Sequence, residues 1–282
     1  MHVPVIGAGD EFLLKEKRKL WWQNLTRPEI VEHAKKCDIA FLPLGSVEQH
    51  GEHLPTGEDS YHATKIAEMV AENTDVMLLP CPWYGAHPYQ HWHYAGTIPL
   101  REETFVNLLV DVVRGASNAG YGKFILFNCH GQEWAVASAV QRLAHEGFFV
   151  VAPTIWEIGK EEFSKILETP MIHADEAETS LGLYLIPDQV DMTKAHDEPP
   201  ESLIDRKWIA GPGTLIRSHI RTFYATVSHP EYKHLKHGVV GYPTRATADK
   251  GRRMVTFVVK WLTELVEEIK IKYPPGVRPP VK

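Results

Sequence analysis

Residues 124–135 read FILFNCHGQEWA. An apolar run rich in Phe and Ile stops abruptly at Asn128, Cys129, His130, Gly131, Gln132 and Glu133. A short, nearly continuous apolar run is what a strand covered on both faces looks like. A helical stretch, Glu133–Glu146, follows at once. That order is the strand-to-helix step of a parallel sheet. Two chemistries compete for the strand's end. Cys129 could be a nucleophile with a histidine beside it, or His130 could be a metal ligand with Cys129 as a packing residue.

The same strand-then-helix order repeats outward along the chain. Ile39–Leu44 (IAFLPL), Val76–Leu79 and Phe148–Ala152 read as further strands. Ser60–Asn73 carries Ala63, Ile66, Ala67 and Val70 at helical spacing, and Glu102–Ala119 carries Phe105, Leu108, Leu109, Val112 and Val113. Gly159–Leu167, Asp175–Ile186 and the long Thr247–Lys272 complete the predicted helices. Thr26 with Pro28 marks an earlier helix start. The pattern predicts an α/β fold with a mostly parallel central sheet and helices on both faces. Residues 1–37 form an arm, with a short helix over Glu11–Trp22, and a first full helix. Residues 38–272 form one catalytic domain, and 273–282 a Pro-rich tail. The irregular stretch 187–245 is too long for a connector. It reads as a lid or an oligomer contact, with Trp208 and the Gly211-Pro212-Gly213 turn suited to a lid.

A chain of 282 residues with 44% hydrophobic content suits one large domain. A net charge of −6 leaves no footprint for nucleic acid and no polybasic membrane patch. No apolar stretch approaches the roughly 20 residues that span a bilayer. The N-terminus lacks the basic-then-apolar order of a secretory signal. Three separated cysteines, Cys37, Cys81 and Cys129, point to a reducing cytoplasm. Sixteen histidines are the oddity, and many cluster with carboxylates at predicted strand ends.

In a parallel sheet, sites form beyond the carboxyl ends of the strands. Three such ends are rich in ligand-type residues: GSVEQHGEHLPTGEDS, CPWYGAHPYQHWHYAGT and NCHGQE. Glu48 and His50, at i and i+2, share a face of extended backbone. With Asp59 beyond the loop and His130 from the third of these ends, they make a donor set for zinc, manganese or iron. Asp59 is placed to bridge two ions. In HADEAETS, Asp175 reads as a helix N-cap. Glu178 is a carboxylate near the helix start, either solvated or metal-facing. His173 would stand beside the metals as a proton shuttle. Cys129 and His130 are adjacent, so their side chains diverge in extended backbone, which argues against a thiol mechanism.

These segments resemble the motifs of the creatininase (creatinine amidohydrolase) family. LGSVEQHGEHLPTGED, YGAHPYQHWHYAGTIPL, NCHGQE, HADEAETS and GVVGYPTRATADKGRRM match five of its elements in the same order, over about residues 38–265. The resemblance implies a three-layer α/β/α sandwich, often hexameric, with two divalent metal ions per subunit, zinc or manganese. It implies Glu48, His50, Asp59 and His130 as metal ligands and Glu178 as an acid near the metals. His173 is then the proton-handling histidine, and a metal-activated water attacks a small carbonyl substrate.

Departures from the family pattern are informative. Gly131 follows the motif histidine where creatininases proper have tyrosine. Gln132 stands where they have a metal-binding glutamate, so Glu178, helped by Glu133, must close the second site. Met171-Ile172 replaces a Trp-Asp pair. Creatinine is therefore a poor substrate candidate. A polar wall of His87, Gln90, His91, Trp92, His93 and Tyr94 suits a hydroxyl-rich ring, and Gln132 and Glu133 complete the expected substrate-binding set. This is compatible with the family's branch of 3-dehydro-scyllo-inosose hydrolases, which open a cyclic polyol ketone by C–C hydrolysis. The alternative is C–N cleavage of a creatinine-like lactam or a linear amide.

Overall fold

The computed structural model describes residues 21–88, 91–199 and 235–280. Its centre is a four-stranded, all-parallel sheet: β1 (Ile39–Leu44), β2 (Met77–Leu78), β3 (Lys123–Asn128) and β4 (Phe149–Val151), in the order β2-β1-β3-β4. β1 and β3 pair in register from Ile39–Lys123 to Leu44–Asn128 and are buried throughout. Their residues alternate between two cores, as the two-residue period requires. Ile39, Phe41, Ile125 and Phe127 face α2 (Glu58–Thr74), α5 (Ile155–Ile166), α6 (Glu176–Leu185) and α7 (Ala248–Lys272). Ala40, Leu42, Leu44, Phe124 and Leu126 face α1 (Arg27–Ala34), α3 (Glu102–Ser117) and α4 (Glu133–His145). The architecture is thus an α/β/α sandwich around a parallel sheet.

Pro43 sits within β1, where a missing N–H should cost a ladder bond. The cost is avoided by geometry. Phe41 O accepts from Leu79 N, so the backbone groups of the odd-numbered residues of β1 point toward β2. β2 pairs only with Ala40 and Phe41, and Pro43 lies beyond its end.

The chain moves from β1 outward to β2, then returns across β1 to lay down β3. The direction of winding therefore reverses between β1 and β3, which opens a crevice at their carboxyl ends. That crevice receives the loop after Leu44, the loop after Asn128 and the N-termini of α2 and α6.

The largest boundary difference from the sequence reading is α5, which begins at Ile155 rather than Gly159. Gly159 is an interior residue. A Cβ there would lie 2.4 Å from the Phe163 ring, so the glycine serves close packing and does not break the helix. Thr26, Thr247 and Asp175 precede their helices as N-caps, and Pro28 lies in the first turn of α1. Trp22–Asn24 is a 3-10 turn. Most of the expected Glu11–Trp22 helix lies outside the described residues, as do Gln90, Trp208 and Gly211–Gly213. The start of the tail is tied down. Pro274 O accepts from Lys123 Nζ, and Gly276 N donates to Asp38 Oδ2, so this segment closes over the buried Lys123–Asp38 ion pair.

Candidate metal centre

The crevice holds four buried carboxylates, Glu48, Glu58, Asp59 and Glu178, interleaved with the buried imidazoles of His50, His91, His130 and His173. Each carboxylate is delivered by a local cause. Glu48 lies on the loop after β1, where its N–H donates to Thr56 O at 2.8 Å. Glu58 and Asp59 open α2, and Glu178 lies in the first turn of α6, so two helix N-termini aim their positive ends at the cluster. Asp175 caps α6, accepting from Ala177 N and Glu178 N at 2.8 and 3.1 Å. Glu176 turns away to Lys250 Nζ, 2.6 Å off. Ala174 adopts φ 48°, a strained value for a residue with a side chain, and its N–H donates to Glu178 Oε2 at 2.5 Å.

Two imidazoles are oriented from behind by backbone carbonyls. His130 Nε2 lies 3.0 Å from Ala86 O, and His50 Nδ1 lies 3.0 Å from Glu48 O. Their opposite nitrogens face the acids. His130 Nδ1 is 2.9 Å from Asp59 Oδ2 and 3.1 Å from Glu48 Oε2. His50 Nε2 is 3.5 Å from Asp59 Oδ1 and 3.6 Å from Glu178 Oε2. Asp59 therefore offers one oxygen to each imidazole, and Ser46 Oγ steadies it by donating to Oδ2 at 2.7 Å. One nitrogen tied to a carbonyl and the other presented to carboxylates is the posture of a metal-binding histidine. His173 Nε2 meets the Gln49 side-chain amide at 3.0 Å, and its Nδ1 is 3.9 Å from Glu48 Oε2. His91 Nδ1 contacts Glu48 Oε1, with His87 Nδ1 3.6 Å from the same oxygen.

Protonation of the bare cluster follows from these contacts. Burial alone would raise Glu48, but the imidazoles of His91, His130 and His173 outweigh it and hold the carboxyl well below its usual range. Burial would likewise lower His130, but Glu48 and Asp59 raise it to about 10. His50 is raised well above its ordinary value because Asp59 and Glu58 outweigh burial. Glu178 and Glu58 are raised by burial and by neighbouring acids. His173 is lowered by burial, reinforced by His91 and His50. A metal-free cluster thus keeps its charge balance by holding protons that a cation would displace.

The residues present fit a divalent ion. His50 Nε2 and Glu58 Oε2 are buried without a hydrogen bond, although acids and imidazoles surround them. Orphaned buried atoms of this kind need a partner. Ligand atoms of Glu48, His50 and Asp59 lie within 4.8 Å of one another, as do those of Glu48, His87 and His130, and those of His50, His173 and Glu178. Mixed imidazole and carboxylate donors suit zinc or manganese.

The sequence-derived residues divide in two. Glu48, His50, Asp59, His130, His173 and Glu178 converge, and His87 and His91 join them at depth against Glu48 rather than forming an outer wall. Trp92 and His93 are exposed, and Trp92 Nε1 donates to His87 O. Glu133 is half-buried and belongs to none of the ligand groups found among the described residues. Gln132 is fully buried with its amide committed: Oε1 accepts from Ala86 N at 3.0 Å, and Nε2 donates to Gly45 O at 3.2 Å and Asn128 Oδ1 at 3.1 Å. That leaves it no N–H for a substrate. Glu58 and Gln49 are the additions that sequence reading missed. Glu58 precedes Asp59 in HLPTGED and passes for an ordinary first-turn acid. Cys129 is packed in the apolar core, and burial pushes its thiol well above its usual range.

Comparison with known proteins places this geometry in context. The family model described as Creatininase: Creatinine amidohydrolase matches residues 23–266. A 3-dehydro-scyllo-inosose hydrolase of Thermotoga maritima is 36% identical, covering 93% of this chain and 88% of the relative. A creatinine amidohydrolase of Pseudomonas putida is 28% identical, covering 63% of this chain and 78% of its own. Solved creatininases in a manganese form and a Zn–Zn form superpose with a TM-score of 0.72, at 22% and 23% identity, over 91% of this chain and 100% and 99% of theirs. Among the described residues, no helix is long and apolar enough to cross a membrane.

Proposed function

The chain belongs to the creatininase family and is a metal-dependent hydrolase, and from that premise we propose that it adds water across a C–C bond of a small cyclic polyol ketone such as 3-dehydro-scyllo-inosose. The observation that carries the hydrolytic reading is the buried convergence of Glu48, His50, Asp59, His130 and Glu178 on one crevice. The ring-opening preference rests on the 36% identical relative and on the absence of the Trp-Asp pair and the tyrosine of creatininases proper. Two divalent ions are assigned to the site. Glu48, Asp59 and His130 would hold one, and His50, Asp59 and Glu178 would hold the other. When bound, such ions supply Lewis acidity to a carbonyl and bring the pKa of water down toward about 7.

The rest of the chemistry falls to the chain. Burial of the cluster excludes bulk water, so charge developing on the substrate is stabilised in a low-dielectric setting. His130 and His50, each fixed by a backbone carbonyl, hold the carboxylates in register. His173 is the proton carrier: Gln49 fixes Nε2, and Nδ1 faces the Glu48 carboxylate without hydrogen-bonding it. In the C–C reaction, water passes a proton to His173 as its oxygen adds to one carbonyl carbon of a 1,3-dicarbonyl ring. The bond to the intervening carbon breaks, its electron pair passes into the second carbonyl as an enolate, and His173 returns the proton to the intervening carbon. In the alternative reaction the leaving atom is a nitrogen, and the same proton goes there.

The test is a mass-spectrometric assay on manganese- or zinc-loaded protein with a panel of inositol-derived ketones, lactams and linear amides. The expected result is a gain of about 18 Da on the cyclic polyol ketone, abolished by chelator and by His130→Ala. A gain on lactams or amides alone moves the protein to C–N hydrolysis.

A further inference from the structure

Gln132 cannot ligate through a carboxylate, and its amide is fastened to Gly45, Ala86 and Asn128. The position offers no slack: a Cβ on Gly85 would lie 2.5 Å from Gln132 Oε1. The ion assigned to His50 therefore lacks the acid that this loop supplies in creatininases proper. Across the crevice stands an acid with one uncommitted oxygen. Glu58 is fully buried; His62 Nδ1 lies 2.9 Å from its Oε1, and its Oε2 makes no hydrogen bond. Its Oε2 lies 3.6 Å from His50 Nε2, beside Asp59 Oδ1 at 3.5 Å and Glu178 Oε2 at 3.6 Å from the same nitrogen.

Those three distances are too long for hydrogen bonds. They are the distances expected between ligands of one ion. Donors about 2.1 Å from one ion sit about 3.0 Å apart in octahedral and about 3.4 Å apart in tetrahedral geometry, within reach of these spacings after a small inward shift. One turn along α2, His62 Nδ1 approaches the other oxygen, Oε1, at 2.9 Å, so the carboxylate is held from behind while Oε2 points inward. Four buried carboxylates also match the charge of two divalent cations.

We propose that Glu58 is a direct ligand of the ion held by His50, replacing the acid absent at position 132. This rests on the two-ion reading above. It gives that ion one imidazole and three carboxylates, an oxygen-rich shell that suits manganese better than zinc. The two positions of the centre then differ in metal preference.

The test compares wild-type protein with Glu58→Gln, an isosteric change, using metal content after dialysis and Mn2+ electron paramagnetic resonance. Wild-type protein is expected to hold two manganese ions with an exchange-coupled signal. Glu58→Gln is expected to keep one ion, show an isolated Mn2+ signal and lose more than about 100-fold in affinity for the second. Two ions at unchanged affinity in the variant overturn the role of Glu58 and leave the two-ion reading standing. A wild-type protein that takes up only one ion refutes the two-ion reading itself, and the inference falls with it. A manganese-loaded crystal makes the question independent of how the variant folds. A Glu58 oxygen within about 2.3 Å of the anomalous peak supports the inference, and one beyond about 3 Å overturns it.

Discussion

Gly251→Ala should unfold this protein more easily, although it replaces a helix-interior glycine by the best helix former. Gly251 lies in the first turns of α7, where that helix crosses α6. A Cβ at this position would sit 1.9 Å from Ser180 O and 2.6 Å from Ser180 C, where ordinary contact begins at 3.4 Å. Both atoms are backbone, so no rotamer change relieves the clash, and the helices must part by about 1.5 Å. Overpacking of this kind costs about 3 kcal/mol, the upper end of its range because the obstacle is rigid. The gain in helix propensity returns about 1 kcal/mol. The net loss of about 2 kcal/mol corresponds to a fall of roughly 4–8 °C in Tm for a chain of this size. Ser180 is two residues from Glu178, so the displacement should also weaken metal uptake.

The assay is thermal unfolding of chelated and manganese-loaded protein. A built-in control exists in α3, where a Cβ on Gly115 meets nothing within 4 Å. Gly115→Ala should therefore stabilise by about 0.5–1 kcal/mol. The same chemical change is expected to act with opposite signs at two helical positions. A Gly251→Ala protein as stable as the wild type would refute the claim that backbone contact between α6 and α7 requires glycine.

Three further outcomes are expected. Asp38→Ala strands the buried Lys123 cation and should cost about 3–5 kcal/mol in urea unfolding, whereas the double change Asp38→Leu/Lys123→Leu should recover most of it; equal losses would contradict the ion-pair account. His53, with Nε2 2.9 Å from Thr179 Oγ1, is held down to about 4 by burial, with His50 and His196 adding to the effect. The unfolded chain protonates this residue near 6.5 and the folded chain resists, so stability should fall as pH drops from 6.5 to about 4, by up to about 3 kcal/mol. His53→Gln should flatten that slope in chelated protein, and an unchanged slope would assign it to other groups. Iodoacetamide should leave Cys129 unmodified in native protein and label it after unfolding; a native adduct that abolishes hydrolysis would restore the thiol as nucleophile.

Much of this molecule is written in local patterns. The apolar runs at Ile39–Leu44 and Lys123–Asn128 declare strands buried on both faces, because burial of a strand depends on neighbours one and two residues away. The caps Thr26, Asp175 and Thr247 declare helix starts for the same reason. Convergence of Glu48, His50, Asp59 and His130 follows from the parallel sheet, since every strand then ends on one side. Local patterns end there. Gln132 and Glu58 look interchangeable with their alternatives in sequence, one as a polar residue near a metal motif and the other as an acid at a helix start. Only packing of the loops after β1 and β3 turned the Gln132 amide onto three backbone and side-chain partners and left Glu58 Oε2 buried without one. The sequence determined which donors reach the crevice. Tertiary structure decided which of them are already satisfied, because hydrogen bonds between residues far apart in the chain compete with a metal for the same atoms.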